Sequence, residues 1–156
     1  GEVELIGLKE NSMQGDKIYK KYFKLLSSGY NQIDLQNAID LGPILFVMAS
    51  IFHGAHFINT NRLKIKESNR IEDLSVELKK FGIVVEELDN EVIIKKQEIN
   101  CPTLVLDGHN DHRIVMALSV LLTKTGGYIQ GEDAVNKSYP KFFSDLKTLG
   151  IEVRQC

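Results

Sequence analysis

His109-Asn110-Asp111-His112-Arg113, followed by the apolar run Ile114 to Leu122, packs acid, imidazole and guanidinium into consecutive positions where a helix should begin. A helix start exposes free backbone N–H groups at the positive end of its dipole, so it attracts anions before any side chain helps. Arg113 adds a planar guanidinium suited to phosphate or carboxylate, and Asp111 and His112 are residue types that move protons. A second cluster, Lys66-Glu67-Ser68-Asn69-Arg70, opens another helical segment. Two cations at a helix start oppose the dipole, a local cost that suggests an anion completes the site.

Both clusters also fit plainer roles. Ser68 and Asp111 would serve as N-caps, Glu67 would be favoured by the dipole, and His112 and Arg113 would face solvent. Asp40, with Pro43 close behind, reads as another N-cap. Lys137 is a loop lysine of the ordinary solvated kind. A metal site made of His109, Asp111 and His112 fits poorly, because neighbouring helix residues diverge and do not share one ion. His53 and His56 flank the end of an apolar helix and read as dipole partners or packed surface groups. Tyr19, Tyr22 and Phe23 form a packing stripe at helical spacing.

The elements that must position these residues alternate between strand and helix. Strands are expected over Glu2–Gly7, Asn31–Leu35, His56–Asn59, Ile83–Glu87, Glu91–Lys95, Leu104–Asp107, Tyr128–Gln130 and Ile151–Arg154. Helices are expected over Asp16–Ser27, Leu41–Phe52, Asn69–Phe81, Asp111–Thr123 and Pro140–Leu149. Gly29, Gly54, Gly82, Gly126 and Gly150 mark helix ends and expose a repeat. One unit is strand, long polar loop, helix, glycine; it occurs at Val3–Gly29, Phe57–Gly82 and Tyr128–Gly150. The other is strand, short loop, Asp, very apolar helix, glycine; it occurs at Ile33–Gly54 and Leu104–Gly126. The apolar helices should be central and buried.

The loops that feed the helices should gather at one end of an α/β (α+β) domain. That face would collect four cations, Lys66, Arg70, Arg113 and Lys137, and three acids, Asp40, Glu67 and Asp111. A hairpin is expected after Gly82, turning at Asp89-Asn90. After Gly29 there is only Tyr30-Asn31-Gln32, so that unit is either shortened or lacks residues.

The bulk numbers agree with one domain spanning residues 1–156. The chain has 156 residues, 43% of them apolar and 26% charged, with a net charge of −2. Nothing global points to nucleic acid, so anion binding must come from local clusters. No apolar run approaches the roughly 20 residues that span a bilayer, and no signal peptide is expected. Cys101 and Cys156 make neither a disulfide framework nor a metal-spaced pair, and a cytoplasmic location is the default expectation.

Four segments resemble, in order, the C-terminal part of the 5-enolpyruvylshikimate-3-phosphate synthases. They are Asn11-Ser12-Met13-Gln14-Gly15-Asp16, Asp40-Leu41-Gly42-Pro43, Arg62 to Arg70, and Asn110-Asp111-His112-Arg113-Ile114-Val115-Met116-Ala117. Lys137-Ser138-Tyr139-Pro140 with Phe142-Phe143 also fits. The Lys-Glu-Ser-x-Arg and Asn-Asp-His-Arg signatures separate the chain from UDP-N-acetylglucosamine enolpyruvyl transferases, which share the fold without this pair.

The resemblance implies repeated βαβαββ units, with buried helices and sheets around them, forming one of two domains. It implies that Lys66, Arg70, Arg113 and Lys137 hold the phosphate and carboxylate of phosphoenolpyruvate. It gives Asp40 the proton of the 5-hydroxyl of shikimate 3-phosphate, Glu67 the proton at the methylene carbon, and Lys66 a share in proton transfer. Asp111 and His112 would support Arg113 and Lys137. No metal and no cofactor is implied. Asn69 stands where the family usually has Asp. The other, N-terminal domain would be a required partner, so the chain alone is expected to be inactive and to bind anions weakly. The alternative is a stand-alone anion-binding or regulatory module that kept the fold without catalysis.

Overall fold

The computed structural model describes Met13 and residues 15–154. The strand expected over Glu2–Gly7, most of the Asn11–Gly15 motif and Cys156 lie outside the described residues. A 3-10 turn, Gly15–Ile18, leads into α1 (Tyr19–Ser28). Then come β1 (Asn31–Asp34), α2 (Gly42–Ile51), β2 (Gly54–Ile58), α3 (Arg70–Lys79), β3 (Val85–Leu88) and β4 (Glu91–Lys95). The last part holds β5 (Leu106–Asp107), α4 (His112–Thr125), β6 (Ile129–Gln130) and α5 (Phe142–Thr148).

Among the described residues there are two sheets. The larger has the order β1-β2-β4-β3. β1 and β2 run parallel, with Ile33 opposite Phe57, and β4 runs antiparallel to both β2 and β3. The smaller sheet is the parallel pair β5-β6, with Leu106 opposite Ile129. Parallel neighbours need a crossover, and α2 and α4 supply one each. The alternation between faces is clean in β4, where Val92 and Ile94 are buried.

α2 and α4 form the centre and pack on each other. α2 buries Gly42, Pro43, Leu45, Phe46, Val47, Ala49 and Ser50, which is most of its circumference. Its Phe46 ring lies 4.8 Å from that of Phe57 on β2. α4 buries Ile114, Val115, Ala117, Leu118 and Leu121 along one side. α3 is amphipathic and closes the core with Ile71, Leu74 and Leu78. The expected central, buried apolar helices are therefore present.

Three expectations need correction. Ile151–Arg154 is not a strand. In the preceding repeat the equivalent stretch is β3, which is held by β4. No described strand plays that part beside Ile151–Arg154, and a strand without a partner does not persist. Instead α4, β6, α5 and residues 151–154 line an open groove of about 560 Å³. β5 is shorter than expected, because β6 offers only two residues to pair with it and Leu104 and Val105 remain exposed. Gly54 opens β2 and does not close α2. Its φ is +79°, and a side chain there would collide with the β4 backbone at Ile94.

Candidate anion-binding site

The loops that follow β1, β2, β5 and β6 meet at one face, as the repeat requires. Asp40 sits in the 3-10 turn Ile39–Leu41 that leads into α2. Lys66 and Glu67 lie between the 3-10 turn Asn61–Ile65 and α3, and Arg70 is the first residue of α3. Asp111 is the N-cap of α4, with His112 and Arg113 in its first turn. Lys137 ends the 3-10 turn Glu132–Lys137 after β6.

Arg70 is the hub. Its side chain is fully buried, and it donates to three carboxylates. Nε meets Asp111 Oδ2 at 2.7 Å and Nη2 meets Asp111 Oδ1 at 3.3 Å, a forked pair in which both partners are buried. Nη1 donates to Asp40 Oδ1 at 3.0 Å and Nη2 to Glu67 Oε2 at 2.7 Å. Burial alone would lower the guanidinium pKa, but the hydrogen bonds and charge of Asp111 raise it instead.

Around the hub the remaining cations hold the same acids from the solvent side. Asp40 meets Lys66 Nζ at 3.2 Å and Arg113 Nη2 at 3.1 Å. Arg113 Nη1 also donates to the Asp40 carbonyl at 3.2 Å. Glu67 accepts from Lys137 Nζ at 2.7 Å. Burial raises the Asp40 pKa, but the charge of Arg113 and the hydrogen bonds of Lys66 and Arg70 outweigh it and leave the carboxyl below its usual value. The Lys137 hydrogen bond, helped by Glu67's own backbone N–H and by Arg70, pulls the Glu67 carboxyl down to about 2. Burial keeps His112 below its ordinary value and favours the neutral ring, against the pull of Asp111.

The four expected cations and the three expected acids are thus brought together, with one more positive than negative charge. Asp40, Glu67, Lys66, Arg113 and Lys137 reach solvent; Arg70 and Asp111 do not. Arg70 has four of its five N–H groups committed to Asp111, Asp40 and Glu67. Three buried polar atoms at these helix heads find no partner among the described residues: Ser68 Oγ, His112 Nδ1 and Arg113 Nε. Such atoms cost roughly 1–3 kcal/mol each when left unpaired.

Two capping assignments change. Asn69, not Ser68, caps α3: its Oδ1 accepts from the Glu72 N–H, and its Nδ2 donates to the Glu72 side chain at 3.1 Å. Asp40 caps nothing, since α2 begins without a side-chain cap. Asp111 does cap α4, accepting from the Arg113 N–H at 2.8 Å. The Arg70–Asp111 pair spans 41 residues and had no local signal; only the convergence of the repeat's loops pointed to it. Among the described residues, no group of three or more His, Cys, Asp or Glu stands where it could hold a metal ion. No helix among them is long and apolar enough to cross a membrane.

Comparison with known proteins places this face in a family. The sequence profile of EPSP synthase (3-phosphoshikimate 1-carboxyvinyltransferase) matches residues 4–146. A 3-phosphoshikimate 1-carboxyvinyltransferase of Clostridium acetobutylicum is 34% identical over 172 residues, covering 99% of this chain and 40% of the relative. That span exceeds the chain's own 156 residues, so the relative carries positions with no counterpart here. The Pyrococcus abyssi protein of the same name is 36% identical and covers 94% of this chain and 36% of the relative. The EPSP synthase structure from Acinetobacter baumannii superposes with a TM-score of 0.69 at 28% identity, over 78% of this chain and 30% of that one. The chain spans about two fifths of the length of the curated relatives it matches.

Proposed function

This chain belongs to the EPSP synthase family, and on that premise we propose that residues 1–156 form one domain of an enzyme that transfers the enolpyruvyl group of phosphoenolpyruvate to the 5-hydroxyl of shikimate 3-phosphate, releasing phosphate. The observation that carries this reading is the single face on which Lys66, Arg70, Arg113 and Lys137 surround Asp40 and Glu67. Phosphate and carboxylate on one small substrate need several fixed cations, and charge-assisted hydrogen bonds are the strongest way to supply them. Two separate acids suit an addition followed by an elimination, each with its own proton movement.

The roles are those the family resemblance implies for these residues. Asp40 takes the proton of the attacking hydroxyl as its oxygen bonds to the central carbon of the enolpyruvyl group. Glu67, which takes up a proton from solvent once the bound anion has drawn Lys137 away, delivers it to the methylene carbon, giving a tetrahedral adduct. Phosphate then leaves with the proton held by Asp40, and return of a methyl proton to Glu67 restores the double bond. Lys66 lies beside Asp40 and shares in the transfer. Asp111 holds Arg70 with its side chain and caps the helix head that carries Arg113, whereas His112 makes no side-chain hydrogen bond with Arg113 or Lys137 among the described residues.

The same contacts explain how the acids become usable. With Lys137 on Glu67 and with Lys66, Arg70 and Arg113 on Asp40, both carboxyls are poor proton acceptors. An arriving anion competes for those cations. As they turn toward it, Asp40 and Glu67 lose the charges that depress their pKa values and become stronger bases. Binding and activation are then one event.

A second, N-terminal domain completes the cleft, and the cytoplasm is its setting. The test is to assay enolpyruvyl transfer by the 156-residue chain alone and joined to a matching partner domain. Turnover should occur only in the joined form. There Arg113→Ala should mostly raise KM for phosphoenolpyruvate, and Glu67→Gln should lower kcat by about 100-fold, the usual scale for losing an acid–base group. A joined protein that binds phosphoenolpyruvate without turnover would favour a binding module instead.

A further inference from the structure

Arg70 is the first of three residues on one face of α3 that reach toward the segment before α4. Arg70, Asp73 and Glu77 lie at i, i+3 and i+7, so they line one side of the helix. Arg70 holds Asp111, as described. Asp73 Oδ1 lies 3.2 Å from His109 Nδ1, and Glu77 Oε1 lies 3.2 Å from His109 Nε2. Glu77 is buried, and its Oε2 also accepts the Asp107 backbone N–H at 2.9 Å, while Lys80 Nζ spans both of its oxygens. The proposed reaction uses neither Glu77 nor His109.

The segment they hold has an unusual backbone. His109 and Asn110 have φ of +49° and +53°, two left-handed residues in succession without a glycine between them. Such residues persist where their surroundings over-determine them. Here the surroundings are Asp107, whose Oδ1 accepts the His109 N–H at 2.7 Å, and the two acids of α3 on the imidazole. Gly108 adds the close approach: a side chain there would collide with Val115. One residue later comes Asp111, which sets both Arg70 and the N–H of Arg113.

We infer that His109 is a positioning residue for the anion site, an imidazole clamp between Asp73 and Glu77 that fixes the head of α4 and hence Asp111 and Arg113. A neutral imidazole donates from one nitrogen only, whereas an imidazolium donates from both. Nε2 is hydrogen-bonded to Glu77 Oε1, whereas Asp73 stands at ion-pair distance from Nδ1, so the Asp73 arm tightens when the ring carries a charge. The charged groups that face the ring are Asp73 and Glu77, with Lys80 across Glu77 and Asp107 at the backbone. The consequence for ligand affinity rests on the anion-binding reading; the clamp itself does not.

The test uses isotope-labelled 156-residue chain and NMR between about pH 5 and pH 8, where histidines titrate. The ring carbons of His109 and His112 are followed together with the backbone amides of Asp111 and Arg113. Both amides should shift with the midpoint of His109, and that shift should vanish in His109→Gln while the His112 titration remains. Asp73→Ala, which removes one arm and leaves the buried Glu77 in place, should reduce the coupling without abolishing it. Amides that follow His112, or that keep the same titration in His109→Gln, overturn the clamp. Sulfate, doubly charged across this range, is the probe of the site, and His109→Gln should weaken it on the order of fivefold, a typical coupling between linked sites. Wild-type chain in which sulfate shifts no resonance of Lys66, Arg70, Arg113 or Lys137 overturns the anion-binding reading. Unchanged sulfate affinity in His109→Gln overturns the positioning role.

Discussion

Asp40 and Asp111 occupy the same slot of the repeat, one just before α2 and the other just before α4, yet their surroundings differ sharply. Asp111 is fully buried, caps its helix and grips the buried Arg70 through both oxygens. Asp40 caps nothing, keeps 32% of its side chain exposed and is shared by Lys66, Arg70 and Arg113. A carboxylate sealed against one guanidinium has no room to change partners. A carboxylate at the surface with three cations around it can pass them to a ligand. The repeat thus supplies two equivalent acids, and burial sorts them into a fixed anchor and one whose partners can exchange.

The contrast breaks most visibly in stability. Asp111→Ala strands Arg70 in the interior and removes the α4 cap, and should cost about 3–5 kcal/mol in denaturant unfolding. Asp40→Ala should cost less, about 1 kcal/mol, since Lys66 and Arg113 reach solvent and the buried Arg70 keeps Asp111 and Glu67. Equal losses would erase the distinction. In turnover the order reverses among folded variants: in the joined protein, Asp40→Asn should lower kcat by about 100-fold with little change in unfolding.

Acid sharpens the same point at Glu67. Its pKa in the folded chain, about 2, lies below the roughly 4.3 of an unfolded Glu. A depressed carboxyl adds stability that is complete above the unfolded value and disappears as pH falls through the folded one. Acid unfolding should therefore show a Glu67 contribution lost between about pH 4 and pH 2. Lys137→Met should shrink it, because Lys137 is the largest cause of the shift. The smallest effect belongs to Asn69. As the α3 cap it is interchangeable with Asp, so Asn69→Asp should change stability by no more than about 0.5 kcal/mol in thermal melts.

Much of this was readable in the chain because the repeat couples local pattern to global position. The apolar runs of α2 and α4 could only be central, and loops feeding equivalent helices had to converge. The motifs from Arg62 to Arg70 and from Asn110 to Ala117 then named the family. What escaped was set by contacts between distant segments. Nothing near Arg70 in sequence says that Asp111 will bury it, or that Asp73 and Glu77 will reach His109. Ser68 looked like the cap because it is a good cap type, but the helix starts one residue later and Asn69 takes the role. Ile151–Arg154 has strand-forming residues without a partner to pair with among the described residues.

The central claim is that the acids of this face hold the cations until an anion takes them. It is tested most directly by following the Glu67 side-chain carboxyl carbon by NMR through an acid titration of the joined protein, with and without saturating phosphoenolpyruvate. The account predicts a midpoint near 2 without ligand and a clear rise toward the ordinary carboxyl range with it. A midpoint that phosphoenolpyruvate leaves unchanged, in protein that binds it, would contradict the account.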